Sequence, residues 1–179
     1  MTAYVALLRA VNVGGKNRVP MAPLREALAA RGLEDVTTIL QSGNVLCRSG
    51  QRQSAVAKVV AEAIEDAFGL QIGVVVRSTA ELADVVGGNP FLANGRDLDP
   101  RSLHVAFLEK RPAAAAVAAL DSRRSPPDAF AVRGRDVYLS YPNGSGRSRL
   151  TLSYIERTLA MQGTARNWRT VERLITLIA

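Results

Sequence analysis

The sequence predicts an α+β fold: two ferredoxin-like copies, each of order β-α-β-β-α-β, with mainly antiparallel sheets and a helix at the C-terminal end. Three observations carry that expectation. Short β-branched or apolar runs alternate with longer segments whose apolar residues recur at helical spacing; glycine and proline mark the boundaries; and the same order of elements begins again near residue 101.

Residues 3–9 form an apolar strand pattern that runs into Asn12-Val13-Gly14-Gly15. Pro20 suits the first turn of a helix reaching about residue 31, and Gly32 closes it, because glycine takes the left-handed backbone that ends helices. Runs at 36–41 and 44–49 flank Ser42-Gly43 as a hairpin. A helix over 54–68 lays Val56, Val59, Val60, Ala63, Ile64 and Ala67 along one stripe and stops at Gly69; a strand at 72–77 completes the first copy. Ser78 caps a short helix to about residue 86, which Gly87-Gly88-Asn89-Pro90 terminates. The second copy takes a strand at 102–108, a helix at 113–120 and a hairpin of 130–133 with 136–140 around Gly134-Arg135. A helix at 149–161 with Ser148 as its cap, an extended segment at 163–166 and a terminal helix over 168–178 follow. The expected division is therefore 1–77, a connecting helix and loop at 78–100, and 101–179. The repeat rests on element order alone, with no visible sequence identity between the copies. Helices on one face of each sheet leave the other face and the strand ends for a ligand.

Composition bounds the function. At 179 residues, 47% apolar and 22% charged, the chain is an ordinary globular one and not a disordered one. The opening Met1-Thr2-Ala3-Tyr4-Val5-Ala6-Leu7-Leu8-Arg9 has neither a basic leader nor a cleavage site, and no window approaches a membrane span, so a soluble, cytoplasmic protein without a membrane partner is expected. Cys47 is the single cysteine, which excludes an internal disulfide and a thiolate metal cluster; its alternation with Leu46 reads as a small buried hydrophobe on a strand. His104, also single, shares a strand face with Ala106 and Leu108 and reads as a packed or surface strand histidine rather than a catalytic base. The net charge of +7 is uneven: residues 1–95 carry nine Lys and Arg against eight Asp and Glu, residues 96–179 fourteen against eight. Twenty of the 23 basic residues are Arg, whose guanidinium pairs with phosphate or carboxylate as a bidentate fork. An Arg-rich genome composition explains the same count with solvated helix faces.

Four polar, glycine-bearing strand ends exceed what a core requires. They are Asn12-Val13-Gly14-Gly15-Lys16-Asn17, Gln41-Ser42-Gly43-Asn44, Tyr141-Pro142-Asn143-Gly144-Ser145-Gly146-Arg147-Ser148 and Thr164-Ala165-Arg166-Asn167-Trp168. As loops they offer backbone N–H groups, amides and guanidinium groups, which is the chemistry of an anion pocket. The candidate ligand-binding residues are Arg9, Asn12, Gly14, Gly15, Lys16, Ser42, Asn44, Tyr141, Arg147, Ser148, Arg166 and Asn167. Of these, Asn12, Lys16, Ser42, Asn44 and Arg166 are expected beside one concave surface. Neither the phosphate-binding Gly-x-x-x-x-Gly-Lys-Ser/Thr loop nor the dinucleotide Gly-x-Gly-x-x-Gly is present. The plain alternatives are a flexible connection at Gly14-Gly15, a helix cap at Ser148 and a core anchor at Trp168.

Taken together, these motifs resemble domain-of-unknown-function family 1697. The likeness runs from Leu8-Arg9-Ala10-Val11-Asn12-Val13-Gly14-Gly15-Lys16 through Leu40-Gln41-Ser42-Gly43-Asn44-Val45 and Asn89-Pro90-Phe91 to Arg166-Asn167-Trp168. Arg149 departs from the resemblance, where a Lys is expected after the Ser of the loop leading into the helix. The resemblance implies a bacterial protein and a two-part α+β fold with ferredoxin-like elements, and it carries no established active site.

The leading functional expectation is a polar pocket for a small anionic or nucleotide-like ligand. No metal-ligand cluster, Ser-His-Asp spacing or cofactor motif accompanies it, so no reaction and no catalytic residue are assigned. Nucleic-acid binding by the basic second half is the alternative; a four-stranded sheet and a sequence pI near 10.3 suit it, and 5% aromatic residues do not. A protein-interaction module is the third reading, and the sequence leaves the oligomeric state open.

Overall fold

The structure, a computed structural model, describes residues 1–96 and 98–178. The chain divides into two compact units, Met1–Ala83 with the C-terminal residues from Leu174, and Asp84–Arg173.

In the first unit β1 (Thr2–Leu8), α1 (Met21–Ala29), β2 (Glu34–Ile39), β3 (Asn44–Ser49), α2 (Gln53–Phe68) and β4 (Val74–Ser78) follow one another. The sheet is antiparallel throughout, in the order β2-β3-β1-β4. Helix α1 begins after Pro20, where a missing N–H costs nothing. It ends in a Schellman turn: Gly32, at φ +80°, donates to the Ala29 carbonyl at 3.0 Å and Leu33 to that of Leu28 at 3.3 Å. Gly69, at φ +67°, ends α2 in the same left-handed region. Alternate residues of the strands, Tyr4, Ala6, Leu8, Val45, Cys47 and Val76, pack against Leu24, Leu28, Val56, Val60 and Ile64 of the two helices. Burial pushes the Cys47 thiol up to about 11, so it is a neutral core residue at physiological pH.

Helix α3 (Thr79–Gly87) follows. It opens with a capping box in which the Ser78 N–H donates to Glu81 Oε2 at 2.9 Å and the Glu81 N–H donates to Ser78 Oγ at 3.3 Å.

The second unit contains β5 (Leu103–Leu108), α4 (Ala114–Ala118), β6 (Ala129–Arg133), β7 (Asp136–Ser140), α5 (Leu152–Leu159) and β8 (Gly163–Asn167), and α6 (Trp168–Ile178) follows. Its sheet, again antiparallel, has the order β6-β7-β5-β8, the permutation of the first unit. Ala106, Leu108, Val137 and Leu139 face Leu120, Tyr154, Ile155 and Leu159. Helices α4 and α5 are shorter than their patterns predict. Ser148 Oγ accepts from the Leu150 N–H at 2.9 Å in a local turn, so the capping role expected of Ser148 passes to Thr151, whose hydroxyl accepts from the Tyr154 N–H at 3.2 Å.

Register exposes a likeness between the copies that element order alone hides. Val5, Ala6 and Leu8 pair with Arg77, Val76 and Val74 in one sheet; Val105, Ala106 and Leu108 pair with Arg166, Ala165 and Gly163 in the other. The strand motif Val-Ala-x-Leu and a buried arginine thus recur at equivalent positions, which corrects the reading that the copies share no visible sequence. The second sheet faces are not open either. Val5, Leu7, Leu46, Val75 and Arg77 in the first unit, and Val105, Phe107, Tyr138, Thr164 and Arg166 in the second, are all buried. The expectation of a free face fails because these strands carry apolar residues at both parities, as strands covered on both sides do.

Candidate functional site

The first two polar loops meet at one end of the first sheet. Val13 and Lys16 form a bridge around Gly14 and Gly15, at φ +58° and +75°, so both glycines are the central residues of a tight hairpin turn that demands left-handed backbone. The Lys16 N–H closes that turn on the Val13 carbonyl at 3.1 Å; its side chain is exposed and has no partner among the described residues. Asn12 fastens the loop. Its Nδ2 donates to the Val19 carbonyl at 3.0 Å and the Gln41 carbonyl at 2.7 Å, while its Oδ1 accepts from the Val19 N–H at 2.9 Å. The amide is thereby spent on structure.

Asn44 and Ser42 are also structural. Asn44 is fully buried, and its Nδ2 donates to the Ile39 carbonyl at 2.9 Å and to Ser42 Oγ at 3.2 Å, holding the β2–β3 turn. Gly43 lets that turn lie against β1: its carbonyl accepts from the Leu8 N–H at 2.8 Å, and a Cβ there would stand 2.8 Å from Leu8 Cβ and closer still to Val11 Cγ2. Arg9, half-buried at the end of β1, donates its N–H to the Gly73 carbonyl at 2.9 Å.

Where these loops meet, an open groove of about 530 Å³ runs along the start of α1, lined by Asn12, Arg18, Pro20, Met21, Arg25 and Gln41 among others. Arg18 is exposed, and its guanidinium has no partner among the described residues. Arg25 is half-buried and anchored, with NH1 donating to Thr38 Oγ1 at 2.7 Å. Helix α1 has no acidic residue in its first turn. Of the predicted residues only Asn12 lines this groove. Arg18 and Arg25 were not singled out from the sequence; the signal was two arginines flanking Pro20-Met21-Ala22-Pro23 with no acid between them.

The other predicted residues belong to the second unit. Tyr141 is buried; its hydroxyl donates to the Leu150 carbonyl at 2.8 Å, and burial raises its pKa to about 12. Its ring meets that of His104 edge-on at 5.3 Å. Arg147 is exposed in a short 3-10 turn, Ser145–Arg147. Arg166 is 7% exposed, and its NH1 donates to Thr164 Oγ1 and to the Ala165 carbonyl, each at 2.8 Å; burial lowers its pKa to about 10, leaving it charged at neutral pH. Asn167 caps α6 by accepting from the Arg169 N–H at 3.0 Å and ties Nδ2 to the Arg101 carbonyl at 3.2 Å. The loops of the first unit follow β1 and precede β3. Those of the second follow β7 and β8. Within the repeated module these are opposite ends of the sheet, so a common position at one strand end is not a property of the set.

Among the described residues no three His, Cys, Asp or Glu side chains gather in a metal-ligating group.

Residues 1–138 match the model of a family described as protein of unknown function (DUF1697). The Arg166-Asn167-Trp168 motif lies beyond the matched stretch. Among solved structures, the conserved bacterial protein SP0830 from Streptococcus pneumoniae is similar over 99% of both chains, with 21% identity and a TM-score of 0.77. At that identity the likeness speaks for the fold. None of the curated proteins matches.

Proposed function

The chain belongs to the DUF1697 family, and we propose that it binds a small anionic ligand in the groove beside α1 of its first unit. The observation that carries this reading is the pair Arg18 and Arg25 at one groove: a free guanidinium and an anchored one, with no carboxylate lining it among the described residues to neutralise them. A guanidinium without an internal partner is available to phosphate or carboxylate, and an anchored one is already ordered, which lowers the entropy lost on binding. Val19, Pro20, Met21 and Pro23 give the same groove an apolar wall for the body of a ligand. Among the described residues arginine is the only ionisable type lining it, with no acid–base or nucleophile–base pair, and the reading is one of binding.

Thermal shift with a panel of nucleotides, sugar phosphates and aryl carboxylates tests it. A ligand present at about 100 times its dissociation constant should stabilise the protein by about 2.7 kcal/mol. Arg18→Ala should weaken that ligand about tenfold, the worth of one charge-assisted hydrogen bond, without lowering the melting temperature of the free protein. If no member of the panel shifts the melting temperature, or if Arg18→Ala and Arg25→Ala leave the shift intact, the groove is not the site.

A further inference from the structure

Two loops of the second unit are latched into one surface. Arg124 Nε donates to the Arg149 carbonyl at 2.9 Å, and the Arg149 N–H donates to Ser125 Oγ at 3.1 Å. The Arg124 guanidinium lies 3.9 Å over the Tyr154 ring, and the Tyr154 hydroxyl accepts from the Asp121 N–H at 2.8 Å. Within the first loop the Arg123 N–H closes on Asp121 Oδ1 at 2.9 Å and the Asp128 N–H on the Ser125 carbonyl at 2.8 Å. The 121–128 segment is therefore held on the loop between β7 and α5.

The latch joins two loops that carry four arginines. Arg123, Arg147 and Arg149 are exposed, with guanidinium groups that have no partner among the described residues, and Arg124 is half-buried. Asp121 and Asp128 are the acidic residues of these loops. We propose that this surface docks single-stranded nucleic acid, held through its phosphates by Arg123, Arg124, Arg147 and Arg149.

Charge selects that partner, and the covered rings decide how it is held. The four arginines belong to two loops, at 123–124 and 147–149, and a chain carrying a charge on every unit can engage both loops where a compact anion meets one. An acidic peptide matches the charge of such a chain only if nearly every residue is acidic. Tyr154 is covered by Arg124 and Tyr141 is buried, so neither ring is free to stack on a base. Binding is then through the backbone and indifferent to sequence.

The test is fluorescence anisotropy of labelled oligothymidylate and oligoadenylate across a salt series. Four phosphate contacts to a single strand give a slope of log affinity against log salt of about −3, equal for both sequences. Arg147→Ala with Arg149→Ala should make the slope shallower by about 1.4, because each lost contact removes about 0.7. The paired Lys substitutions should restore it. These guanidinium groups make no internal contact, so the variants keep the wild-type melting temperature, and Arg52→Ala with Lys58→Ala serves as a charge-matched control with the parental slope. Inorganic polyphosphate, which shares the phosphate chemistry, should compete. Absence of low-salt binding, an unchanged slope in the Arg147/Arg149 double variant, a marked preference between the two sequences, or equal competition by polyaspartate would each overturn the proposal.

Discussion

At the scale of single residues, polarity in a loop has two destinations, and the hydrogen bonds decide between them. Asn12, Ser42, Asn44, Ser148 and Asn167 satisfy backbone groups or each other inside the fold, whereas Lys16, Arg18 and Arg147 are exposed with free side chains among the described residues. A buried backbone group without a partner costs about 1–3 kcal/mol, which is why short amide and hydroxyl side chains are drawn into such service. His104 shows the opposite case. Its Nδ1 is buried without a hydrogen-bond partner, and burial lowers its pKa below the ordinary 6.5. The unfolded chain therefore binds the proton more readily than the folded one, so the His104 contribution to stability is complete above pH 6.5 and is lost as pH falls below it. Urea midpoints measured from pH 7.5 down to pH 5, values chosen to bracket about one unit or more on either side of the free imidazole, should decline in the wild type and decline less in His104→Gln. Parallel profiles would show that His104 titrates alike in both states.

At the scale of elements, caps and register explain more than propensity. The helix predicted from residue 149 starts at Leu152 because Thr151 supplies the capping oxygen while Ser148 is engaged with Leu150. Thr151→Ala should therefore destabilise the protein by about 1 kcal/mol, the usual worth of an N-cap, and the loss should appear as faster amide exchange in the first turn of α5. Ser148→Ala should leave exchange in that turn unchanged. The opposite ranking would return the cap to Ser148. Register likewise places Arg77 and Arg166 at one position of two copies, each donating to the carbonyl of its preceding residue, at 3.0 Å for Arg77 and 2.8 Å for Arg166.

At the scale of the whole molecule, the chain is a doubled module with uneven charge. The excess of basic residues belongs to the second half, and the groove with its two arginines to the first, so a measurement on each half addresses a different proposal. No helix among the described residues is long and apolar enough to cross a membrane. Cys47 offers a reporter for the first unit, because a buried thiol held near 11 reacts only when its core opens. Labelling by an aromatic disulfide at mild alkaline pH should be slower in the native protein than in guanidinium by at least about a hundredfold. Comparable rates would mean that the first core opens readily under native conditions.

The sequence by itself determined the order of elements, the doubled α+β architecture, the hairpins and the glycine stops of α1 and α2. These are local matters: Gly32 and Gly69 end helices because few other residues take positive φ cheaply, and alternation or helical spacing marks which face is apolar. It also marked the 12–17 and 41–44 loops, which do meet, since Asn12 binds the Gln41 carbonyl. Tertiary structure decided what each polar group does there. Whether an amide is free depends on which carbonyl folds back against it, a non-local fact that spacing does not encode. So Asn12 and Asn44 read like ligand contacts and act as fasteners, Arg18 and Arg25 read like ordinary surface and flank a groove, and Arg124 reached Arg149 across 25 positions of sequence to make one surface of two loops.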